Sequence, residues 1–323
     1  MRVAICRELG PPEVLELEER ETPIPGPGQL VLDVRAAGVN FVDGLFVAGQ
    51  YQIKPPLPFT PGSEVAGVVL AVGEGVERFA PGDPVIAMPG LGGFAEELVV
   101  GEASAAPLPD ALSFTQGATF AQSYCTALFA LRERAGLAKA ESVLVLGAGG
   151  GVGLAVVDVA RALGARVIAV ASTEEKRAAA VAAGAETAID PAVDDVKTRG
   201  REFGGGGVDV VVDPIGGDLA EPSLRALAWF GRYVVIGFAT GAIPRLPANQ
   251  MLLNNRTVMG VDWGAWTMRE PAAHRRLLDD ALGMAASRQI HPVAPTEYEF
   301  DRVADALTAL LDRQVTGKVA LAR

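Results

Sequence analysis

Residues 141–170, ESVLVLGAGGGVGLAVVDVARALGARVIAV, set a glycine run between an unbroken apolar strand pattern and an apolar helix pattern. No other stretch constrains the fold so tightly. Glycines at this junction let the chain turn sharply, let a ligand approach the backbone, and let helix pack on strand. The helix start also offers free N–H groups and the positive end of a dipole to a pyrophosphate. Gly147, Gly150 and Gly153 form GxxGxxG, one residue longer before the central glycine than the GxGxxG dinucleotide fingerprint, and Gly151 and Val152 lie in the same turn. The run predicts a nucleotide site, and nearly half the chain precedes it.

What surrounds the run sets the architecture. Before about residue 122 the chain shows short β-type segments, 29–39, 64–73, 83–88 and 93–100, separated by PIPGPG, PPLPFTPG and FAPGD. Pro and Gly at such close spacing mark many turns and predict a small irregular β-barrel. A helix over QSYCTALFALRERAG, ending at Gly136, opens a series of alternating units. Strands SVLVLG, RVIAVA, TAID, VDVVVDPI and GRYVVIGF are interleaved with helices VGLAVVDVARALGA, TEEKRAAAVAAGA and DLAEPSLRALA. Uniformly apolar strands alternating with helices predict a parallel sheet covered on both faces. After about 262, a helix over AAHRRLLDDALGMAASRQ, a strand at EYEF, a helix over DRVADALTALLDRQ and the terminal TGKVALAR cannot make a core of their own, so they are expected to complete the first domain. The fold class is α/β, a doubly wound parallel sheet (123–262) inserted after a β-barrel (1–122), with 263–323 returning to that barrel.

A chain of 323 residues, half of them hydrophobic, suits two packed domains. Its net charge of −11, with the 28 Lys and Arg scattered, argues against nucleic acid and anionic membranes as partners. No apolar stretch is long enough for a bilayer span, and MRVAICREL lacks a signal-peptide layout, so a cytoplasmic location is expected. Two cysteines and two histidines leave no disulfide framework. Cys6 and Cys125 read as small buried hydrophobes, and His274 and His291 as surface or capping residues.

Choice of nicotinamide cofactor is made at the end of the second strand, where an acid selects the free ribose 2′-OH of NAD. Here the strand ends at Ala171 and is followed by Ser172, Thr173, Glu174, Glu175 and Lys176. No carboxylate ends the strand, Ser172 can donate a hydrogen bond, and Lys176 can reach a phosphate, so NADPH is expected. The same polar residues also suit a plain helix N-terminus with acids in its first turn.

The segments AAGVNFVDG, PGSEVAGVVLAVGEGV, PGDPV, the glycine loop and TGKVAL occur in the order seen in the medium-chain dehydrogenase/reductase superfamily, and the chain most resembles its zinc-free quinone oxidoreductase and zeta-crystallin branch. The resemblance spans essentially the whole chain and implies a GroES-like barrel joined to a Rossmann sheet. Zinc members carry a cysteine where this chain has Asn40 and a Gly-His-Glu where it has Gly62-Ser63-Glu64; many add a four-cysteine lobe near 90, where GLGGFAEE stands. Catalytic zinc needs three protein ligands and structural zinc four, so no metal is expected.

The resemblance further implies that Asn40 and Tyr51 face the acceptor cleft with Asp43 behind them. Asn40 is the expected donor to the acceptor's oxygen, although a self-satisfied turn residue is the alternative. Tyr51 either covers a ring or merely packs, and Asp43 either orients Asn40 or caps a helix. Glu64 is expected to support the nicotinamide site from below. Cofactor contacts are implied for Thr126, for Phe238, Ala239 and Thr240, for Val261 and Trp263, and for Lys318. Trp263 and Trp266 wall a pocket or fill a core. The activity implied is hydride transfer from NADPH to a quinone or conjugated carbonyl by a homodimer paired near RTVMGV. An enoyl-thioester reductase and a nucleotide-binding structural or regulatory protein with incidental activity are the alternatives.

Overall fold

The computed structural model describes all residues, Met1–Arg323, as two compact units: Met1–Ala121 with Ala294–Arg323, and Gln122–Val293. Along the chain run β1 (Arg2–Cys6), β2 (Leu15–Glu19), β3 (Gln29–Val39), α1 (Phe41–Val47), β4 (Glu64–Val72), β5 (Pro84–Ala87), β6 (Glu97–Gly101), β7 (Ala105–Pro107), α2 (Phe114–Ala118) and α3 (Ala121–Leu128). Next come β8 (Ser142–Leu146), α4 (Gly151–Ala162), β9 (Arg166–Val170), α5 (Glu174–Ala183), β10 (Thr187–Ile189), α6 (Val196–Phe203), β11 (Val208–Asp213), α7 (Ala220–Ala226) and β12 (Leu227–Val235). The chain ends with α8 (Ala248–Asn254), β13 (Thr257–Gly260), α9 (Trp263–Arg269), α10 (Pro271–Ala286), β14 (Thr296–Glu299), α11 (Val303–Leu311) and β15 (Val319–Ala322).

In the first unit β3 organises everything else. One edge pairs with β4 along most of its length; the other pairs first with β6 and then with β15. Shifts in register between Val31 and Leu32 and between Val34 and Ala36 mark bulges, which bend a strand and increase its twist. One core buries Leu30, Leu32, Val34, Val65, Val69 and Phe94 together with Val303 and Leu307 of α11. Register then decides what meets at the end of β3. Val39 lies opposite Val319, and Gly38 lies opposite both Ala320 and Glu64. Residues 40, 64 and 318 are thereby brought together although the chain separates them widely.

The second unit is a six-stranded parallel sheet in the order β10-β9-β8-β11-β12-β13. In sequence terms that is 3-2-1-4-5-6, with the reversal between β8 and β11, where open α/β sheets bind ligands beyond the strand ends. All of β8 is buried, as a strand covered on both faces must be.

Three expectations change. Residues 263–293 stay with the sheet unit and the chain re-enters the first unit only at Ala294, because α10 buries Leu277, Leu278, Ala281, Leu282 and Ala285 there. The single helix read over 122–136 is α-helical to Leu128 and then widens into a π-helix, Phe129–Arg134, before Gly136 at positive φ. Polar helix α6, which buries only Val196 and Gly200, lies between β10 and β11, where apolar periodicity had given no helix.

A Cβ on Gly38 would stand 2.1 Å from the Ala118 carbonyl oxygen and 2.9 Å from Glu64 Oε1. Gly38→Ala must therefore push α2 off β3 or displace Glu64, and overpacking of this kind costs about 1–3 kcal/mol. The expected outcome is a lower Tm by thermal unfolding; an unchanged Tm would show that the strand and helix are not in this contact.

Candidate active site

The glycine turn follows β8 directly. Gly147 adopts a φ of 59°, and a Cβ there would come within 2.5 Å of Ile215 Cγ2; a Cβ on Gly153 would be 2.2 Å from the Gly147 carbonyl oxygen. Both glycines are required by packing. Gly150 is different: it is exposed, it occupies the N-cap position of α4, and its Cβ direction meets nothing closer than 3.5 Å. The bare backbone of Gly150 at the start of a twelve-residue helix is what an incoming phosphate requires. Gly151 and Val152 form the first turn of that helix and are only half buried.

Lys176 lies across the same turn, since a Cβ on Gly149 would be 2.4 Å from Lys176 Cβ. Its amide is held by the Thr173 hydroxyl, the N-cap of α5, at 3.2 Å. Ser172 is exposed beside it. Arg177, which sequence reasoning passed over, donates to the Ala171 carbonyl and to Asp190 at 3.1 and 2.9 Å and so fixes the end of β9.

Across the reversal point Asp213 is wholly buried. It accepts from the Ile215 and Gly216 amides at 2.9 and 2.8 Å and from the Tyr233 hydroxyl at 2.6 Å. Burial, and then the charge of Asp213, push the Tyr233 hydroxyl pKa upward, so it stays a donor. This pins the turn that abuts Gly147. The second acid of VDVVVDPI, standing after three valines, was its sequence signal. Phe238, Ala239 and Thr240 form the turn after β12, with Thr240 Oγ1 donating to the Ile215 carbonyl at 2.8 Å. Val261 is buried and its amide donates to the Val235 carbonyl; Thr126 is buried in α3.

In the first unit a polar cluster sits in an apolar setting. Asn40 is the N-cap of α1, and its backbone N–H donates to Asp43 Oδ2 at 2.8 Å. The side-chain amide of Asn40 donates to Glu64 Oε1 at 3.0 Å and to Ser63 Oγ at 3.3 Å. Lys318 Nζ donates to Asn40 Oδ1 and, at 2.9 Å, to Glu64 Oε1. Glu64 is 1% exposed and the Lys318 side chain 12%, so this is a buried ion pair with its hydrogen bonds satisfied. Both amide protons of Asn40 have partners inside the protein, so Asn40 bridges Lys318 to Glu64 and Ser63. Asp43 both caps α1 and holds the Gly62 amide at 3.3 Å.

The residues around the glycine turn match a family described as zinc-binding dehydrogenase over 151–279, and residues 26–110 match the alcohol dehydrogenase GroES-like domain. Bovine quinone oxidoreductase-like protein 2 is 41% identical, with 99% of this chain and 92% of the relative covered. The chain belongs to the quinone oxidoreductase branch of the medium-chain dehydrogenase/reductase superfamily. Human quinone oxidoreductase is 34% identical over 99% of this chain and 97% of its own. Escherichia coli quinone oxidoreductase, solved in complex with NADPH, superposes over the whole of both chains with a TM-score of 0.90 at 29% identity.

Membership of this oxidoreductase branch raises the question of zinc, which the first matching description names. The donor set does not suit it. Asn40, Ser63 and Glu64 offer an amide, a hydroxyl and a carboxylate, and the amide and carboxylate already hold an ammonium. No group of three His, Cys, Asp or Glu side chains is arranged to hold a metal ion anywhere in the chain. Cys6 and Cys125 are buried. Tyr51 packs edge-on against Phe46, ring centroids 4.8 Å apart, in the cluster of Cys6 and Phe59. Of its two readings, packing is the one with an observed contact.

In the sheet unit Trp266 stacks on Phe129 at 4.5 Å, and Trp263 and Trp266 both meet the His274 ring edge-on, at 5.4 and 6.4 Å. His274 is therefore an aromatic-cluster residue and not a surface one, and burial lowers its pKa. Lys318, expected to touch cofactor, is committed through two of its hydrogen bonds to Asn40 and Glu64.

Burial raises the Asp43 carboxyl pKa from 3.8 to about 7, against the lowering effect of the Asn40 and Gly62 amides and of Lys318, while Glu64 raises it further. The folded protein thus holds a proton that the unfolded chain releases, and stability contributed by this group falls as pH rises from about 4 to about 7. Asp43→Asn is expected to flatten that part of the Tm–pH curve relative to the wild type. A parallel pair of curves would contradict the assignment.

Proposed function

We propose that this protein is a zinc-independent, NADPH-dependent reductase of quinones or related conjugated carbonyls. The observation that carries this reading is the Lys318–Glu64–Asn40 cluster, in which an ammonium already occupies the amide and carboxylate that stand where the resemblance puts zinc-binding residues. When bound, the nicotinamide supplies a hydride. The chain's own tasks are to hold the cofactor and to stabilise the oxygen on which charge builds.

The residues suit the cofactor. Gly150 offers open backbone at a helix N-terminus for a pyrophosphate, and the exposed Ser172, with Lys176 across the glycine turn and no acid ending β9, supports a 2′-phosphate contact. NADPH in the solved E. coli relative supports the same reading. Acceptors that are already electron-poor, such as quinones, need no metal to accept hydride, and the printed names of the relatives support that class.

Steady-state NADPH oxidation with 1,4-benzoquinone and 9,10-phenanthrenequinone, before and after exhaustive chelation, tests the proposal. Equal rates are expected, and activity that disappears with chelator and returns with zinc would overturn it. Lys176→Glu is expected to raise KM for NADPH by about tenfold or more, the cost of a charge-assisted contact turned repulsive, while kcat/KM for NADH holds or rises. Parallel losses with both cofactors would remove Lys176 from the 2′-phosphate site.

We also propose a homodimer through β13, one of the two edge strands of the sheet. Near that edge Trp229, Phe230, Leu252 and Leu253 are all more than half exposed, an apolar set that a second copy would cover. Light scattering is expected to give twice the chain mass, with Val258→Lys shifting the mass toward one chain; a monomeric wild type contradicts this.

A further inference from the structure

We propose that the Arg177–Asp190 ion pair determines the choice between NADPH and NADH: Arg177 neutralises an acid that strand pairing brings beside the end of β9, and so lets a 2′-phosphate be accepted there. The inference rests on the NADPH reading above and adds what keeps that site from selecting NADH. An acid at the end of the second strand binds the free ribose 2′-OH and repels a phosphate. β9 ends without one, at Ala171 and Ser172. Its neighbour does not. β10 runs parallel to β9 with Ile189 opposite Val170, which puts Asp190 level with Ala171, and the Ala171 amide donates to the Ile189 carbonyl at 3.2 Å.

Arg177 is placed to cancel that acid. Its Nη1 donates to Asp190 Oδ2 at 2.9 Å and to the Ala171 carbonyl at 3.1 Å, so one nitrogen joins the ends of both strands. The other carboxylate oxygen, Oδ1, accepts from the Ala192 amide at 2.9 Å, which holds Asp190 toward the arginine. The Arg177 amide donates to the Thr173 carbonyl at 3.0 Å, and the Lys176 amide to the Thr173 hydroxyl, so one helix start sets the place of both cations. Glu174 and Glu175 open the same helix but are exposed. Asp190 is different, since only 21% of its side chain is accessible, and 23% of that of Arg177. Partly buried charges are screened by salt and water much less than exposed ones. An unmasked Asp190 would therefore be felt by a phosphate bound at the end of β9.

A brace between α5 and the end of β10 would account for the same two hydrogen bonds. It would, however, treat both cofactors alike, because NADPH and NADH differ only in the 2′-phosphate. Separation of the two cofactors is the signature of charge, and rescue by removing the acid is the signature of masking.

The test measures NADPH and NADH affinities by cofactor fluorescence, with no acceptor present, on full-length wild type, Arg177→Met, Asp190→Asn and the double variant. Arg177→Met uncovers Asp190 and is expected to weaken NADPH binding about tenfold or more, while NADH affinity changes by less than about threefold. Asp190→Asn is expected to hold or tighten NADPH binding, because the acid is gone and the cation remains. The double variant is expected to return to within about threefold of wild-type NADPH affinity, a coupling that two independent contacts would not give.

A double variant as weak for NADPH as Arg177→Met, or an Arg177→Met loss shared equally by NADH, overturns the proposal. If Arg177→Met does not fold, Asp190→Asn decides, and weaker NADPH binding by that variant overturns it. A wild type that prefers NADH overturns the NADPH reading and this inference with it, whereas lost rescue beside an intact wild-type preference for NADPH overturns the inference alone.

Discussion

The ion pair between Lys318 and Glu64 is the interaction on which the first unit's chemistry depends. Glu64 is sealed in an apolar setting, and its charge is supportable there only because an ammonium and an amide N–H reach it. Removing one partner of a buried pair leaves an uncompensated charge and costs about 3–5 kcal/mol. That penalty ties the site to the end of the chain. Unless β15 docks beside β3, Lys318 is absent, Glu64 is unpaired and Asn40 loses its orientation. Gly38 belongs to the same constraint, since any larger residue between β15 and β4 would take the space Glu64 occupies.

The sheet unit follows a different logic, in which the backbone and not a charge pair is placed. Gly147 and Gly153 let the turn close on itself, Asp213 and Tyr233 fix the opposing turn at the sheet's reversal, and Gly150 is left bare at the helix start. Two of the three glycines serve packing, and the third leaves its backbone open. The extra residue in the motif lengthens the turn without removing any of these roles.

The sheet unit was legible because its signals are local. Apolar strands alternating with helices, and glycines at one junction, need only neighbours in sequence to be interpreted. The return point was not. Apolar positions along α10 say that the helix is buried, but not against which sheet, and it stays with the second unit. Helix α6, VKTRGREF, was invisible because it buries only two residues.

At the site, Asn40, Ser63 and Glu64 could each be read from a single position, whereas the ammonium that joins Asn40 to Glu64 could not. Asn40 and Lys318 are 278 residues apart, and only the pairing of β15 with β3 brings them together. The protons of the Asn40 amide go instead to Glu64 and Ser63, which the pairing of β3 with β4 brings beside it. Tyr51 was equally undecided in sequence, since an aromatic in a Pro-rich loop suits a lid and a packed core alike, and its contact with Phe46 depends on how the loop folds back.

The most direct measurement of the central claim is a crystal structure of the protein grown with zinc, with anomalous data collected at the zinc edge. The account predicts Lys318 Nζ in hydrogen-bond contact with Glu64 and no anomalous peak among Asn40, Ser63 and Glu64. A zinc ion within that cluster, with Lys318 displaced from Glu64, would contradict it.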